Sequence, residues 1–372
     1  MKIVADMNMP ALQTTFGLHG KLVRLEGRNI CRADLSDADV LLVRSVTQVN
    51  ADLLHDTNVA FVGSATVGVD HLDTHWLEEN NIAWANAPGC NADAAAQYTL
   101  AMMWLACERW HRDFRQQRVG IIGRGNVGRR LEHLLTALAI PVMACDPPLQ
   151  DQDEPQLVSL PEACANSIIS LHVPLTHTGK YPSKNLFDRE QLAALHSDTL
   201  LVNTSRGGVI EKAALLAELQ SGRICAALDV WPDEPFIASE LLDAVTVATP
   251  HVAGYSREGK RAGTEMIYQA FCKTFTLRTP ELPGTNANTV KPGFPPSTSA
   301  DEIVQRLIHS SCPVARDDAA LRALPRSSRG AGQIQFDSLR SAYPERREFK
   351  SHLVPGTTGE TAKQLIRMGF KT

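Results

Sequence analysis

The chain has 372 residues, enough for two or three domains with cores of their own. Hydrophobic residues make up 44% and charged residues 21%, with a formal net charge of −4, so no global field gathers nucleic acid or an anionic membrane surface. No apolar run is long enough to span a bilayer, the opening MKIVADMNMP is too soon acidic for a secretion signal, and eight cysteines without a CxxC pair read as reduced thiols of a cytoplasmic protein, with no metal site.

Short apolar, β-branched runs come first at 2–6, 40–44, 60–66 and 82–87. A second series follows at 118–123, 141–146, 167–173, 199–203, 225–230 and 245–251. These runs carry little polar alternation, which predicts strands buried on both faces. Helix-like stretches at 92–110, 126–138 and 211–221 lie between them, so the pattern predicts right-handed crossovers and parallel sheets. The glycine-rich turn falls in mid-chain, which predicts one α/β domain inserted into another. The expected class is α/β, with two doubly wound parallel-sheet domains: a Rossmann-type domain at 96–252, inserted into a flavodoxin-like substrate domain made of 1–95 and 253–280. Residues 281–302 are rich in Pro, Gly, Thr and Asn and read as a linker. Residues 303–372 combine helical periodicity with an apparent strand at SHLVPG and read as a small α+β domain.

The turn itself is RVGIIGRGNVGRR, with Gly123, Gly125 and Gly128 in GxGxxG spacing between a predicted strand and a predicted helix. Gly123 permits the tight turn, Gly125 lets the backbone approach a diphosphate, and Gly128 lets helix and strand pack closely. Asn126 and Val127 open the helix, whose first amides and dipole suit an anion. Asp146, at the end of the next strand, can accept hydrogen bonds from ribose hydroxyls and repels a 2′-phosphate, which favours NAD over NADP. A glycine turn that binds nothing is the plainer alternative. Arg124, Arg129 and Arg130 read equally as phosphate contacts or as surface charges.

Hydride transfer from an alcohol also needs a base for the hydroxyl proton, a cation for the forming carbonyl, and a group that tunes the base. In an open α/β sheet such groups lie past the carboxyl ends of strands. Arg206 in NTSRGG, Glu234 in DVWPDEP and His251 in TPHVAG each follow a different predicted strand. An imidazole can accept and return a proton near neutral pH, a carboxylate beside it orients the ring, and a guanidinium can grip a carboxylate with two parallel bonds. Read from position alone, each can equally be an ion pair, a solvated acid or a cap.

Together GxGxxG, NTSRGG, DVWPDEP and TPHVAG resemble the NAD-dependent D-2-hydroxyacid dehydrogenase family over most of residues 1–278. The resemblance implies that Arg206 binds and polarises the substrate, that His251 is the acid/base, and that Glu234 tunes His251. LLVRSVTQVN, FVGSATVGVDHLD, APGCNADA, CDPP, HVAGYSREGK and YPERREF further resemble a branch of that family with an extra C-terminal domain. That likeness implies NAD-dependent oxidation of 4-phospho-D-erythronate to 2-oxo-3-hydroxy-4-phosphobutanoate in pyridoxal phosphate biosynthesis, by a homodimer joined through the C-terminal domain. It implies substrate contacts from Ser45, Thr66 and Tyr255, and NAD contacts from Asp146, Asp229, Gly254 and the loop Thr204, Ser205 and Arg206. A phosphorylated substrate calls for a further cation, for which Arg44, or Arg346 and Arg347 from the third domain, are the candidates. The chain departs from the family pattern at Met7, Gln97 and Arg261, and at Val173, where a hydroxyl contact to the cofactor is lost. Other 2-hydroxy acids, such as 3-phosphoglycerate or glycerate, and a non-catalytic NAD-sensing module stay open as alternatives.

Overall fold

Parallel strands covered by helices on both faces send alternate side chains into two different cores, and both sheets of this chain are built that way. A computed structural model describes residues 1–279, 293–294, 298–325 and 329–372; most of the expected linker, 281–292 and 295–297, lies outside the described residues. The chain divides into two compact units.

The first unit comprises Met1–Asn91 and the segment starting at Ser256. Strands β1 (Lys2–Asp6), β2 (Lys21–Leu25), β3 (Val40–Val43), β4 (Phe61–Ser64) and β5 (Ala83–Ala85) pair in parallel in the order β2-β1-β3-β4-β5. That is the flavodoxin-like order, with its reversal between β1 and β3. Ile3, Ala5, Val40, Leu42 and Phe61 join one cluster with Tyr268 and Phe271 of the helix Arg257–Thr274. Val4, Leu41, Val43 and Val62 join the opposite cluster with Leu77. Ser256 starts the helix, its hydroxyl accepting from the Gly259 amide at 2.9 Å. Strand β2 has no counterpart among the predicted runs. It is an edge strand whose Lys21 and Arg24 are exposed, so it lacks the continuous apolar run of a buried strand.

The second unit holds Ala92–Tyr255 and the described C-terminal stretch to Thr372. Here β6 (Val119–Ile122), β7 (Val142–Cys145), β8 (Ile168–Leu171), β9 (Leu200–Asn203), β10 (Cys225–Leu228) and β11 (Val247–Ala248) pair in parallel in the order β11-β10-β9-β8-β6-β7. The order reverses between β6 and β8, the place where such sheets bind ligands. The helix Ala92–Arg109 is buried along nearly its whole length.

The C-terminal stretch is helical, with helices Ala300–Ser311, Val314–Arg322, Arg329–Ser341 and Gly359–Arg367. The strand expected at SHLVPG is only an isolated bridge between Leu353 and Lys371. Helix Val314–Arg322 closes the open edge of the six-stranded sheet. Buried Asp318 accepts from the Ala248 amide of β11 at 2.7 Å and pairs with Arg109 at 2.9 Å. Arg322 donates to the Leu242 and Val245 carbonyls at 2.6 and 2.9 Å. An edge amide that has no strand beside it thus has an acceptor.

Candidate active site

The loops after β9, β10 and β11 are each fixed by one side chain that satisfies several backbone groups. After β9, Asn203 is 1% exposed, and its Oδ1 accepts from the Ser205 amide at 3.0 Å and hydroxyl at 2.8 Å. Its Nδ2 donates to the Arg206 carbonyl at 2.9 Å, which folds 204–206 into a tight turn. Thr204 shares a 2.8 Å hydrogen bond with Thr99, and the Arg206 Nη1 donates to the Ser205 carbonyl at 2.8 Å. A Cβ on Gly207 would stand 2.0 Å from the Trp231 carbonyl group, so only glycine lets this loop press against the loop that carries Glu234.

After β10, the buried carboxylate of Asp229 accepts from the Thr249 hydroxyl at 2.6 Å, the Val252 amide at 2.9 Å and the Ala253 amide at 2.9 Å. These bonds clamp the chain on both sides of His251. They hold that residue at φ 56°, a left-handed conformation rare for a side chain of this size. Glu234 is held by the Trp231 amide, which donates to Oε1 at 2.7 Å, and its Oε2 meets the His251 Nδ1 at 2.6 Å. Burial pushes the Glu234 carboxyl up, but His251, the Trp231 amide and the charge of Arg340 outweigh it and hold the carboxyl below the usual glutamate range. An ionised Oε2 can only accept, so Nδ1 carries the proton and Nε2 is left with the lone pair. The imidazole is not sealed in: the His251 side chain is 30% exposed.

The glycine turn fits an approaching dinucleotide. Gly123 has φ +95°, and a Cβ there would lie 2.8 Å from the His172 backbone and 2.9 Å from Val173. A Cβ on Gly128 would lie 2.1 Å from the Gly123 carbonyl oxygen, whereas one on Gly125 would meet nothing within 4 Å. The protein's own packing therefore explains two glycines, and an arriving ligand explains the third. The helix Asn126–Ala137, opening with Asn126 and Val127, has no side chain capping its first amides. Asp146 accepts from the Arg124 amide at 2.7 Å and the Leu149 amide at 3.1 Å, which fixes the carboxylate beside the turn. The neighbouring arginines are ion-paired: Arg124 with Glu132 and Glu154 at 2.6 and 2.9 Å, Arg129 with Glu154 at 2.8 Å, and Arg130 with Asp93 at 2.7 Å.

The other expected site residues fall as follows. Arg44, Ser45 and Thr66 belong to the first unit, just past the carboxyl ends of β3 and β4. Arg44 pairs with buried Asp6 at 3.0 Å, Thr66 bonds Ser64 at 2.7 Å, and Ser45 is exposed. Gly254 and Tyr255 belong to the second unit and follow His251. Arg346 is not placed as a substrate ligand. It is 5% exposed and donates to the backbone carbonyls of Tyr255, Ala253 and Ala94, with its guanidinium 5.0 Å from the Tyr98 ring centroid. It binds the C-terminal stretch to the rest of its unit, while Arg347 beside it is half-buried. Gln97 accepts from the Phe349 amide at 3.1 Å, so its amide serves the same docking. Met7 is 56% exposed just past β1, and Arg261 pairs with Glu265 one helical turn on, at 2.5 Å. The organising roles of Asn203 and Trp231, and the presence of Arg340, were not foreseen; an Asn heading a Ser/Gly turn is the one signal the sequence offered.

A glycine turn on a doubly wound sheet, with an Arg, a Glu and a His at the ends of three successive strands, defines the dehydrogenases of 2-hydroxy acids as the class. Residues 91–253 match the model of the D-isomer specific 2-hydroxyacid dehydrogenase NAD binding domain, and residues 282–369 match a domain of unknown function. The erythronate-4-phosphate dehydrogenase of Marinobacter nauticus is 44% identical over 100% of this chain and 99% of its own, and that of Proteus mirabilis is 41% identical over 100% and 99%. Among solved structures, the NAD+-bound 3-phosphoglycerate dehydrogenase of Entamoeba histolytica shares the fold with a TM-score of 0.65 at 21% identity, over 74% of this chain and 95% of that one. The D-lactate dehydrogenase of Aquifex aeolicus, complexed with NAD and lactic acid, does so with a TM-score of 0.62 at 21% identity, over 74% and 96%. The chain belongs to the erythronate-4-phosphate dehydrogenase family, within the D-isomer specific 2-hydroxyacid dehydrogenases.

Proposed function

We propose that this chain is an NAD-dependent dehydrogenase that oxidises 4-phospho-D-erythronate to 2-oxo-3-hydroxy-4-phosphobutanoate in pyridoxal phosphate biosynthesis. The observation that carries the reading is the 2.6 Å bond from the His251 Nδ1 to the Glu234 carboxylate. Oxidation at C2 removes the hydroxyl proton and a hydride, leaving a C2 carbonyl. Bound NAD supplies the acceptor of the hydride. The His251 Nε2 takes the proton, and the Glu234 carboxylate steadies the imidazolium that results. Arg206 grips the C1 carboxylate and draws charge onto the forming carbonyl oxygen. Ser45, Thr66, Tyr255 and Arg44 contact the rest of the substrate, Arg347 being the remaining candidate of the tail. The amides opening at Asn126 and Val127 face the diphosphate, Asp146 the ribose, and Thr204, Ser205, Val173 and Gly254 the nicotinamide half. Asp229 acts one step removed, through the backbone on either side of His251.

The same reading includes a homodimer joined through the C-terminal stretch, which sedimentation velocity checks, and a cytoplasmic protein. For the latter, none of the eight cysteines is in a disulfide, and no described helix is long and apolar enough to cross a membrane.

The test is NADH formation across 4-phospho-D-erythronate, 3-phosphoglycerate and D-glycerate. The expected kcat/KM for the first exceeds the others by ~10²-fold or more. His251→Ala is expected to lower kcat by ~10³-fold or more while leaving the NAD Kd unchanged. Preferred turnover of another acid replaces the substrate, undiminished turnover in the variant removes His251 from the chemistry, and NAD-dependent association without turnover favours a binding module.

A further inference from the structure

A positive charge beside the Glu234–His251 pair comes from neither series of strands. Arg340 lies on the C-terminal helix Arg329–Ser341. Its guanidinium carbon stands 5.8 Å from the ring centroid of Tyr255 and 5.8 Å from that of buried Phe336. Its charge also reaches Glu234, where it helps keep the carboxylate ionised. Its Nε is buried and has no hydrogen-bond partner among the described residues. A buried guanidinium N–H without an acceptor is costly, and a ligand, an ion or an ordered water can supply the acceptor.

The surroundings hold this group still. The Tyr343 hydroxyl donates to buried Asp317 at 2.7 Å, and the Tyr343 ring meets the Tyr255 ring edge-on at 5.8 Å and 82°. Arg346 donates to the Tyr255 carbonyl at 2.9 Å. The C-terminal stretch thus fixes Tyr255 by ring and by backbone, and lays Arg340 over it. A guanidinium beside an aromatic face, with its buried Nε–H lacking an acceptor among the described residues, suits the recognition of phosphate oxygens.

We propose that Arg340 binds the phosphate of the substrate, which makes the C-terminal helix the element that distinguishes a 4-phosphorylated hydroxy acid from an unphosphorylated one. The inference rests on the reading that the substrate carries a phosphate. In that substrate the phosphorus is separated from the reacting C2 by C3, C4 and the ester oxygen. Its cation must therefore stand near the imidazole without touching it, while Arg206 serves the carboxylate at the other end. Arg346, one of the two tail arginines offered by the sequence, is committed to backbone carbonyls, whereas the Arg340 Nε has no acceptor among the described residues.

The experiment uses the full chain with Arg340→Gln and Arg340→Lys. In Arg340→Gln the KM for 4-phospho-D-erythronate is expected to rise ~30-fold, with kcat changed less than ~3-fold, and Arg340→Lys should recover part of the loss. The ratio of kcat/KM for 4-phospho-D-erythronate over D-erythronate should fall by ~30-fold in the Gln variant. Inorganic phosphate is expected to inhibit the unsubstituted protein competitively and to lose that inhibition in the Gln variant, while the NAD Kd and melting temperature hold. An unchanged ratio, or an unchanged inhibition constant for phosphate, overturns the assignment. Failure of the substrate reading shows itself separately, as no preference for the phosphorylated acid in the unsubstituted protein.

Discussion

Glu234 sits at the hinge of two kinds of argument, since its carboxylate is both a structural acceptor for the Trp231 amide and the electrostatic partner of His251. Replacing it with Gln keeps the shape but leaves one acceptor oxygen where there were two, turns an NH2 group toward the Trp231 amide or the His251 Nδ1, and removes the charge that steadies an imidazolium. We expect Glu234→Gln to lower kcat by about 10²-fold with the NAD Kd unchanged. The same substitution has a signature in stability. The folded-state pKa of Glu234 lies below its ordinary value, so the carboxylate's contribution is complete above the ordinary glutamate range and is lost as pH falls through the lower, folded-state value. Urea melts of both proteins along a pH series should therefore show a difference that shrinks in strong acid; a gap that stays constant down to the acid limit refutes the linkage. Arg206, Glu234 and His251 stood out in the sequence as candidates because each follows an apolar run and carries chemistry in its side chain. Asn203 was not, because its contribution is to hydrogen-bond the turn that presents Arg206, and an Asn in a loop has many ways to do nothing.

The glycine turn shows how an element can be tested glycine by glycine. At Gly125 φ is −77°, outside the left-handed region that favours glycine, and a Cβ would meet no protein atom within 4 Å. At Gly128 a Cβ would be driven to 2.1 Å from the Gly123 carbonyl oxygen. Gly125→Ala should fold with the normal melting temperature and lose NAD affinity by ~10-fold or more, because only the diphosphate needs that space. Gly128→Ala should lose stability by about 1–3 kcal/mol through overpacking, whether or not cofactor is present. Thermal melts with and without NAD separate the two, and a Gly125→Ala protein that binds NAD normally excludes the turn from the diphosphate site. At this scale the sequence was most informative where burial is symmetric: strands β6 to β11 read as apolar runs because both faces are covered. It failed at β2, whose edge position lets lysine and arginine into the strand, and at SHLVPG, where an apolar run packs without a ladder. The arginines of the turn were undecidable from sequence, since partners eight to thirty-seven residues away, Glu132, Glu154 and Asp93, decide their role.

At the scale of the molecule, the C-terminal stretch is what departs most from a sequence reading. YPERREF looks like a solvated charged run, yet Arg346 within it is one of the more deeply buried cations of the described chain, and nothing local reports the three carbonyls that receive it. Helix Val314–Arg322 caps the edge of the sheet with Asp318, and Arg346 ties the following segment to the backbone at Ala253 and Tyr255, next to His251. On the proposed mechanism, docking and catalysis are coupled through backbone, and Arg346→Leu isolates the coupling. Leucine fills part of the volume but leaves three carbonyls without their donor, at a cost of about 1–3 kcal/mol for a buried group left unsatisfied. The melting temperature should drop by several degrees, and limited proteolysis should cut after residue 300 earlier than in the unsubstituted protein. The KM for 4-phospho-D-erythronate should rise, because Tyr255 and the Arg340 laid over it lose their anchor. The NAD Kd should change less than the KM, because the glycine turn does not depend on this contact and only Gly254, between the two held carbonyls, borders it. If stability falls while KM holds, the C-terminal stretch is a brace on the sheet alone; if neither moves, the buried guanidinium holds nothing that water cannot hold as well.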